Sequence, residues 1–225
     1  MPAPREKTFL LARPEARALE WMARRMPRRV TPDHMTALGV LAAFGIAAAY
    51  LLSNENPLWL WAASGLLVVH WLGDSLDGTL ARVRKAERPT YGYYLDHLVD
   101  AVATAVIGLG LGLSPYMLLA TGLAIVIAYL VLSINTYLET QAFGVFSLGY
   151  GRLGPTEARV ALIALNTLLA LGVGLDFQLA GLGVSVLDAI GLAGAGAMLA
   201  ALGVRAARNL RTLAQREPAR PYAAP

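Results

Sequence analysis

Aspartates recur between residues 73 and 100 at intervals that place them on shared helix faces. Asp74 and Asp77 are three residues apart, and Asp96 and Asp100 are four apart. Because residues three or four apart lie on one side of an α-helix, each pair presents its two carboxylates together. Two antiparallel helices joined by a short link would turn these pairs toward each other. The spacing therefore predicts a cluster of four carboxylates on one helical hairpin.

Such a cluster is unfavourable unless positive charge neutralises it. Like charges repel, and each buried carboxylate also loses its hydration. Arg82 supplies one positive charge close by. Oxygen ligands favour Mg²⁺ or Mn²⁺ over zinc, and Mg²⁺ is commonly shared with substrate phosphates. The aspartates therefore predict a divalent-cation site that acts on a phosphate compound.

Small residues accompany the carboxylates. Gly78, Ala81 and Gly92 each stand four residues from one of the four aspartates, on the same predicted helix face. A face without side chains lets a bulky ligand approach the backbone. Close packing of membrane helices also uses small residues, so both interpretations remain open.

The elements that must position this cluster are apolar and long. Of the 225 residues, 56% are hydrophobic and 15% are charged. A helix needs about 20 apolar residues to cross a hydrocarbon core of roughly 30 Å. Six stretches satisfy this condition, and they cover approximately residues 35–53, 57–80, 94–113, 115–137, 157–174 and 184–204.

Lysines and arginines are distributed unevenly among the connections. They precede the first stretch, follow the last, and lie between the second and third and around the start of the fifth. The connections at 53–56, 114–115 and 175–183 contain none. Since positive residues remain on the cytoplasmic side, both termini and the acidic cluster are predicted to be cytoplasmic. We expect a bacterial or archaeal cell membrane.

The N-terminal segment has its own pattern. Leu19, Met22 and Met26 recur at helical spacing among arginines, which favours an amphipathic helix on the membrane surface over a solvated basic tail. The predicted fold is all-α and integral to the membrane, with six transmembrane helices plus this interfacial helix. The predicted divisions are an interfacial segment, a catalytic membrane domain and a basic C-terminal tail: 1–30, 31–210 and 211–225.

The acidic residues and their small neighbours form one gapped pattern. It reads Asp74-x-x-Asp77-Gly78-x-x-Ala81-Arg82, then Gly92-x-x-x-Asp96-x-x-x-Asp100. This pattern resembles the signature of the CDP-alcohol phosphotransferase family, which are integral-membrane enzymes of phospholipid synthesis. The link between Arg82 and Gly92 is one residue longer than is typical of the family. That difference affects loop contacts to the nucleotide and leaves both aspartate pairs intact.

The resemblance implies a division of labour. The four aspartates would hold two divalent cations, Mg²⁺ or Mn²⁺, that bridge a CDP diphosphate. Asp100 would also accept the proton of the attacking hydroxyl, with Asp96 as the second catalytic residue. A homodimer is implied as well, and no nucleic-acid partner is expected. The residues that would contact the CDP moiety are Asp74, Asp77, Gly78, Ala81, Arg82 and Gly92.

The substrates stay open between two arrangements. We favour CDP-diacylglycerol as donor to a polar alcohol such as glycerol phosphate, inositol phosphate or serine. Arg152 and Arg159 are candidates for an acceptor phosphate, although their position also satisfies the charge rule. In the alternative, CDP-choline or CDP-ethanolamine reacts with diacylglycerol. His97 and Glu157 lie in segments similar to those of such enzymes, where His97 could act as base and Glu157 could orient it.

Two other classes compete with this interpretation. A cation-coupled transporter also has membrane carboxylates, but its site tends to lie near the bilayer midplane. A membrane prenyltransferase uses Asp-rich motifs on widely separated helices, whereas here both pairs lie on one predicted hairpin. The sequence supports either of these classes less well than it supports a phosphotransferase. Release of CMP separates the phosphotransferase from the transporter.

Overall fold

The computed structural model describes residues 12–144, 154–174, 176–179 and 182–218. Within these residues the chain is mainly helical, with one short strand pair before the last helix. The elements are α1 (Ala12–Arg25), α2 (Pro32–Leu52), α3 (Trp59–Val83), α4 (Pro89–Gly112), α5 (Leu119–Phe143), α6 (Pro155–Ala170), β1 (Asp176–Leu179), β2 (Leu182–Ser185) and α7 (Val186–Arg216).

Local signals explain where the helices near the carboxylates begin and end. Thr31 caps α2: its hydroxyl accepts from the His34 N–H at 3.3 Å, and His34 Nδ1 accepts from the Thr31 N–H at 3.2 Å. Helix α3 continues through the acidic segment to Val83 without a break. Lys85 then takes a left-handed φ of 53°, and Pro89 begins α4. The two predicted helices and their short link are therefore present, but α2 packs against both of them, whereas α3 and α4 make little direct contact with each other.

Helices α2 and α3 approach each other most closely at two glycines. A Cβ built on Gly73 would lie 2.5 Å from the Gly39 nitrogen, closer than real contacts allow. Only small residues permit this backbone approach, as is usual between membrane helices. The approach brings Asp74, the next residue on α3, directly beside α2.

The centre of the bundle combines apolar packing with a buried amide side chain. Ile46, Leu60 and Leu67 belong to the main apolar cluster. Asn166 on α6 is 1% exposed, and its side chain accepts from the Tyr50 hydroxyl at 3.2 Å and donates to Ser64 Oγ at 3.3 Å. Because a buried amide needs partners, this set fixes α6 against both α2 and α3.

Among the described residues, four helices are long and apolar enough to cross a membrane: α2, α4, α5 and α7. Two further stretches were predicted to span. The one over 57–80 corresponds to α3, which carries a histidine and two aspartates, and the one over 157–174 corresponds to α6, which has 16 residues. Six spans therefore stay a prediction, as does a membrane-surface location for α1.

The segment before α7 differs from the plain connection that the sequence suggested. Strands β1 and β2 pair antiparallel, with Asp176 opposite Ser185. Ser185 then caps α7, since its hydroxyl accepts from the Asp188 N–H at 3.1 Å. Helix α7 continues to Arg216 and so passes the predicted domain boundary at residue 210.

Candidate active site

The carboxylate of Asp77 is oriented by hydrogen bonds to both of its oxygens. The Thr36 hydroxyl on α2 donates to Oδ2 at 2.7 Å, and the Gly78 N–H donates to Oδ1 at 2.5 Å. Thr36 is 8% exposed. Hydrogen bonds to an ionised group are stronger than those between neutral groups, so α2 contributes directly to the geometry of this carboxylate.

Asp74 is paired with an arginine from α6. Arg159 Nη2 lies 2.6 Å from Asp74 Oδ2, and the two side chains are 15% and 23% exposed. Arg159 stands in the second turn of α6, whose start is fixed by Glu157: its Oε2 accepts from the Gly154 N–H at 2.9 Å. The beginning of α6 thus contributes a positive charge to the first aspartate pair.

Helix α4 contributes the second aspartate pair and a histidine. Ligand atoms of Asp96, His97 and Asp100 all lie within 4.8 Å of one another. His97 Nδ1 is 3.4 Å from Asp96 Oδ2. The imidazole contacts Tyr93 edge-on, with centroids 4.2 Å apart, and stacks on Tyr137 of α5 at 4.9 Å. These rings hold the histidine beside the carboxylates.

A small cavity joins the two aspartate pairs. It accommodates about one water molecule, and α2, α3 and α4 all contribute to its wall. Three of the four predicted aspartates line it, and Asp100 adjoins it through Asp96. The lining residues are Thr36, Gly39, His70, Asp74, Asp77, Asp96 and Val99.

His70 lies four residues before Asp74 and faces the same cavity. Its side chain is 5% exposed, and within the described part of the chain its Nδ1 atom has no protein hydrogen-bond partner. A buried polar atom of this kind requires water or a ligand. His70 is not among the site residues predicted from the sequence, and the structure places it in the cavity wall beside the aspartates.

The small residues predicted to contact CDP lie around the outer rim of the site. A Cβ built on Gly92 would have open space around it, and one built on Gly78 would meet only Arg82 Nη1, at 3.3 Å. Arg82 is exposed and donates to Thr79 Oγ1 at 3.0 Å. Ala81 is partly buried on the same helix. Open space beside Gly92 excludes tight helix packing at this residue, and its contact with CDP stays a prediction.

The residues predicted to bind the acceptor alcohol occupy different positions in the structure. Arg159 reaches the aspartates, His97 lies among them, and Glu157 caps α6. Arg152 lies outside the described residues. Thr36 was missed as a site residue, because the sequence pattern indicated only that the segment around it begins a helix. Its contact with Asp77 joins residues 41 positions apart, and no local signal reports such a contact.

The donor set fits divalent cations. Carboxylate oxygens from two helices converge on one cavity, with a histidine beside them. Hard oxygen ligands of this kind suit Mg²⁺ and Mn²⁺. The orientation of Asp77 by Thr36 and Gly78 is the kind of support that metal-binding carboxylates usually have.

Residues 29–193 match the family model described as CDP-alcohol phosphatidyltransferase. The chain therefore belongs to the CDP-alcohol phosphatidyltransferase family, which confirms the resemblance seen in the aspartate pattern. Members of this family transfer a phosphatidyl group from a CDP-alcohol to an alcohol, and they generally depend on divalent metal ions. Together with four apolar helices, membership identifies an integral membrane transferase of phospholipid synthesis.

Proposed function

We propose that this protein transfers the phosphatidyl group of CDP-diacylglycerol to the hydroxyl of a polar alcohol and releases CMP. The observation that carries the proposal is the cavity in which Asp74, Asp77 and Asp96 meet, at one end of a bundle of apolar helices. A lipid-linked diphosphate matches this arrangement, because its charged group can reach the carboxylates while its acyl chains remain along apolar surface.

We assign the four aspartates of the two pairs as ligands of two divalent cations, Mg²⁺ or Mn²⁺. When bound, such ions neutralise charge on the diphosphate and polarise its oxygens. The protein's own part is to hold the carboxylates in position, through Thr36 on Asp77 and Arg159 on Asp74. Gly78, Ala81, Arg82 and Gly92 are assigned to the CDP moiety.

The chemical step is a displacement at phosphorus. The alcohol oxygen forms a bond to the phosphatidyl phosphorus, the bond from that phosphorus to the bridging oxygen breaks, and CMP leaves with that oxygen. We assign Asp100 as the group that accepts the hydroxyl proton, with Asp96 beside it. Their carboxylates and His97 lie within one 4.8 Å group, so the acceptor hydroxyl and the donor phosphate can be held together.

One observation favours a second candidate, transfer of phosphocholine or phosphoethanolamine from the CDP-alcohol to diacylglycerol. His97 lies 3.4 Å from Asp96 and between two tyrosine rings, an environment suited to a positioned base. Under this alternative His97, rather than Asp100, removes the proton of the diacylglycerol hydroxyl. The donor specificity distinguishes the two candidates.

The surrounding architecture forms part of the same proposal. We propose six spans, with α3 and α6 added to the four apolar helices, α1 on the membrane surface, and both termini and the site on the cytoplasmic side. The absence of Lys and Arg at 53–56 and 175–183 supports this orientation. The divisions at 1–30, 31–210 and 211–225 and a homodimer rest on the sequence pattern and the family resemblance.

The test is a panel of substrates with purified protein in liposomes. CDP-diacylglycerol, CDP-choline and CDP-ethanolamine are each combined with glycerol phosphate, inositol phosphate, serine or diacylglycerol, and both CMP and lipid product are measured. CMP release from CDP-diacylglycerol with a polar acceptor supports the proposal. Product only from CDP-choline or CDP-ethanolamine selects the second candidate, and no CMP from any pair contradicts both.

A further inference from the structure

Helix α1 is attached to the bundle by its apolar face. Leu19 and Ala23 are 5% and 3% exposed, and they pack in one cluster with Met35 of α2 and with Leu76 and Leu80 of α3. Leu76 lies between the two aspartates of α3. The helix that packs behind the first aspartate pair is therefore α1.

A polar side chain of α1, Glu15, contacts both α3 and α6. Glu15 Oε1 accepts a hydrogen bond from Trp71 Nε1 on α3 at 2.8 Å, and a second from the Thr156 hydroxyl on α6 at 3.0 Å. The partners are 56 and 141 residues away in the chain. A single carboxylate oxygen thus connects three helices.

The two partners of Glu15 lie on either side of the ion pair of the site. Trp71 precedes Asp74 by three residues on α3, and Thr156 precedes Arg159 by three residues on α6. Residues three apart share a helix face about one turn from each other. Helices α3 and α6 run antiparallel, since Arg159 contacts Asp74 and Asn166 contacts Ser64, so Trp71 and Thr156 flank the ion pair from opposite directions along the helices. Glu15 therefore bridges the same pair of helices across the contact between Arg159 and Asp74.

We propose that Glu15 is a positioning residue for the active site: it holds the first turn of α6 against α3 so that Arg159 meets Asp74. This inference rests on the proposed function, because it assumes that Asp74 belongs to the catalytic cluster. Without Glu15, the indole N–H of Trp71 and the hydroxyl of Thr156 lose a charged acceptor, and the start of α6 loses its link to α1.

The experiment compares variants at Glu15 with a matched change elsewhere on α1. Glu15→Ala removes the acceptor, whereas Glu15→Gln retains a side-chain oxygen at the same distance from the backbone. The control is Glu20→Ala, since Glu20 is exposed and, among the described residues, pairs along the helix with Arg24 at 2.5 Å. We expect CMP release per folded protein to fall about tenfold in Glu15→Ala, to recover largely in Glu15→Gln, and to be unchanged in Glu20→Ala.

A second measurement keeps the inference testable independently of activity. Hydrogen exchange of the peptide covering the first two turns of α6 should be faster in Glu15→Ala than in wild type, while exchange in α2 stays the same. Thr156→Val should give a similar increase in exchange. The double variant should add little, because both substitutions remove the same hydrogen bond between Thr156 and Glu15.

The outcomes separate the two proposals. If wild type releases CMP and Glu15→Ala releases it equally fast, Glu15 does not position the site. If wild type releases no CMP from any donor, the proposed function fails, and hydrogen exchange then decides alone: unchanged exchange at α6 in Glu15→Ala overturns the positioning role. Loss of activity in Glu15→Ala that Glu15→Gln does not restore also counts against it.

Discussion

Among the described residues, the arginine–carboxylate pair between α6 and α3 and the pair between α7 and α5 differ in their surroundings. Arg159 meets Asp74 at 2.6 Å between α6 and α3, and Arg205 meets Glu139 at 2.6 Å between α7 and α5. The aspartate side chain is 23% exposed and the glutamate side chain 7%. The contact distance is therefore the same, while access to the carboxylate is greater at Asp74.

The partners of each carboxylate make the difference clearer. Glu139 Oε1 also accepts from Asn135 at 3.0 Å and from Asn209 at 2.5 Å, so several donors from α5 and α7 satisfy it. Asp74 instead shares its cavity with Asp77 and Asp96. A carboxylate surrounded by donors is suited to holding helices together, whereas carboxylates grouped around a cavity require a cationic ligand.

The largest effect is expected from a substitution in the proposed catalytic cluster. Asp100→Asn should lower the turnover of CMP release by about a thousandfold, because it removes the proposed proton acceptor. Binding of CDP compounds, measured by isothermal titration, should persist. The protein should remain folded, since the substitution removes one of several like charges.

The matched control makes the same chemical change where no catalytic role is proposed. Asp33 lies in the first turn of α2, and its exposed carboxylate pairs with Arg88. Asp33→Asn should leave turnover within about twofold of wild type, because exposed ion pairs contribute little. Wild-type turnover in Asp100→Asn would remove Asp100 from the mechanism and leave His97 as the candidate base.

The second prediction concerns Glu139, the carboxylate that joins α5 to α7. Glu139→Ala removes the carboxylate that Arg205, Asn135 and Asn209 share, and removing one partner of a buried pair costs about 3 kcal/mol or more. Thermal unfolding in detergent should shift to markedly lower temperature. The fraction that remains folded should turn over at the wild-type rate, and a specific loss of turnover at full stability would contradict the division between the two regions.

The features of the candidate site that depend on local spacing could be predicted from the sequence. The intervals between the aspartates predicted the faces on which Asp74, Asp77 and Asp96 lie, and they predicted two helices joined by a short link. The partners Thr36 and Glu15 could not be found in this way. Their contacts depend on which helices pack together, and the close approach at Gly39 and Gly73 became evident only in three dimensions.

The third prediction sharpens the role of Arg159. Arg159→Gln removes the charge beside Asp74 and should reduce kcat/KM for the CDP donor about tenfold. The acceptors then separate two roles. If Arg159 also binds an acceptor phosphate, KM should rise more for glycerol phosphate than for serine. Equal losses with both acceptors would limit Arg159 to orienting Asp74.

The smallest effect is expected from one hydroxyl in each region. Thr36→Val removes the donor to Asp77 Oδ2 and should lower CMP release about fivefold, whereas Thr36→Ser should retain it. The matched change is Thr140→Val beside Glu139, where the hydroxyl donates to the Thr136 carbonyl within its own helix at 2.8 Å. That variant should release CMP at the wild-type rate. Equal losses of CMP release at Thr36 and Thr140 would mean that both hydroxyls act only through the stability of the fold. The proposed role of Thr36 in orienting Asp77 for catalysis would then be wrong.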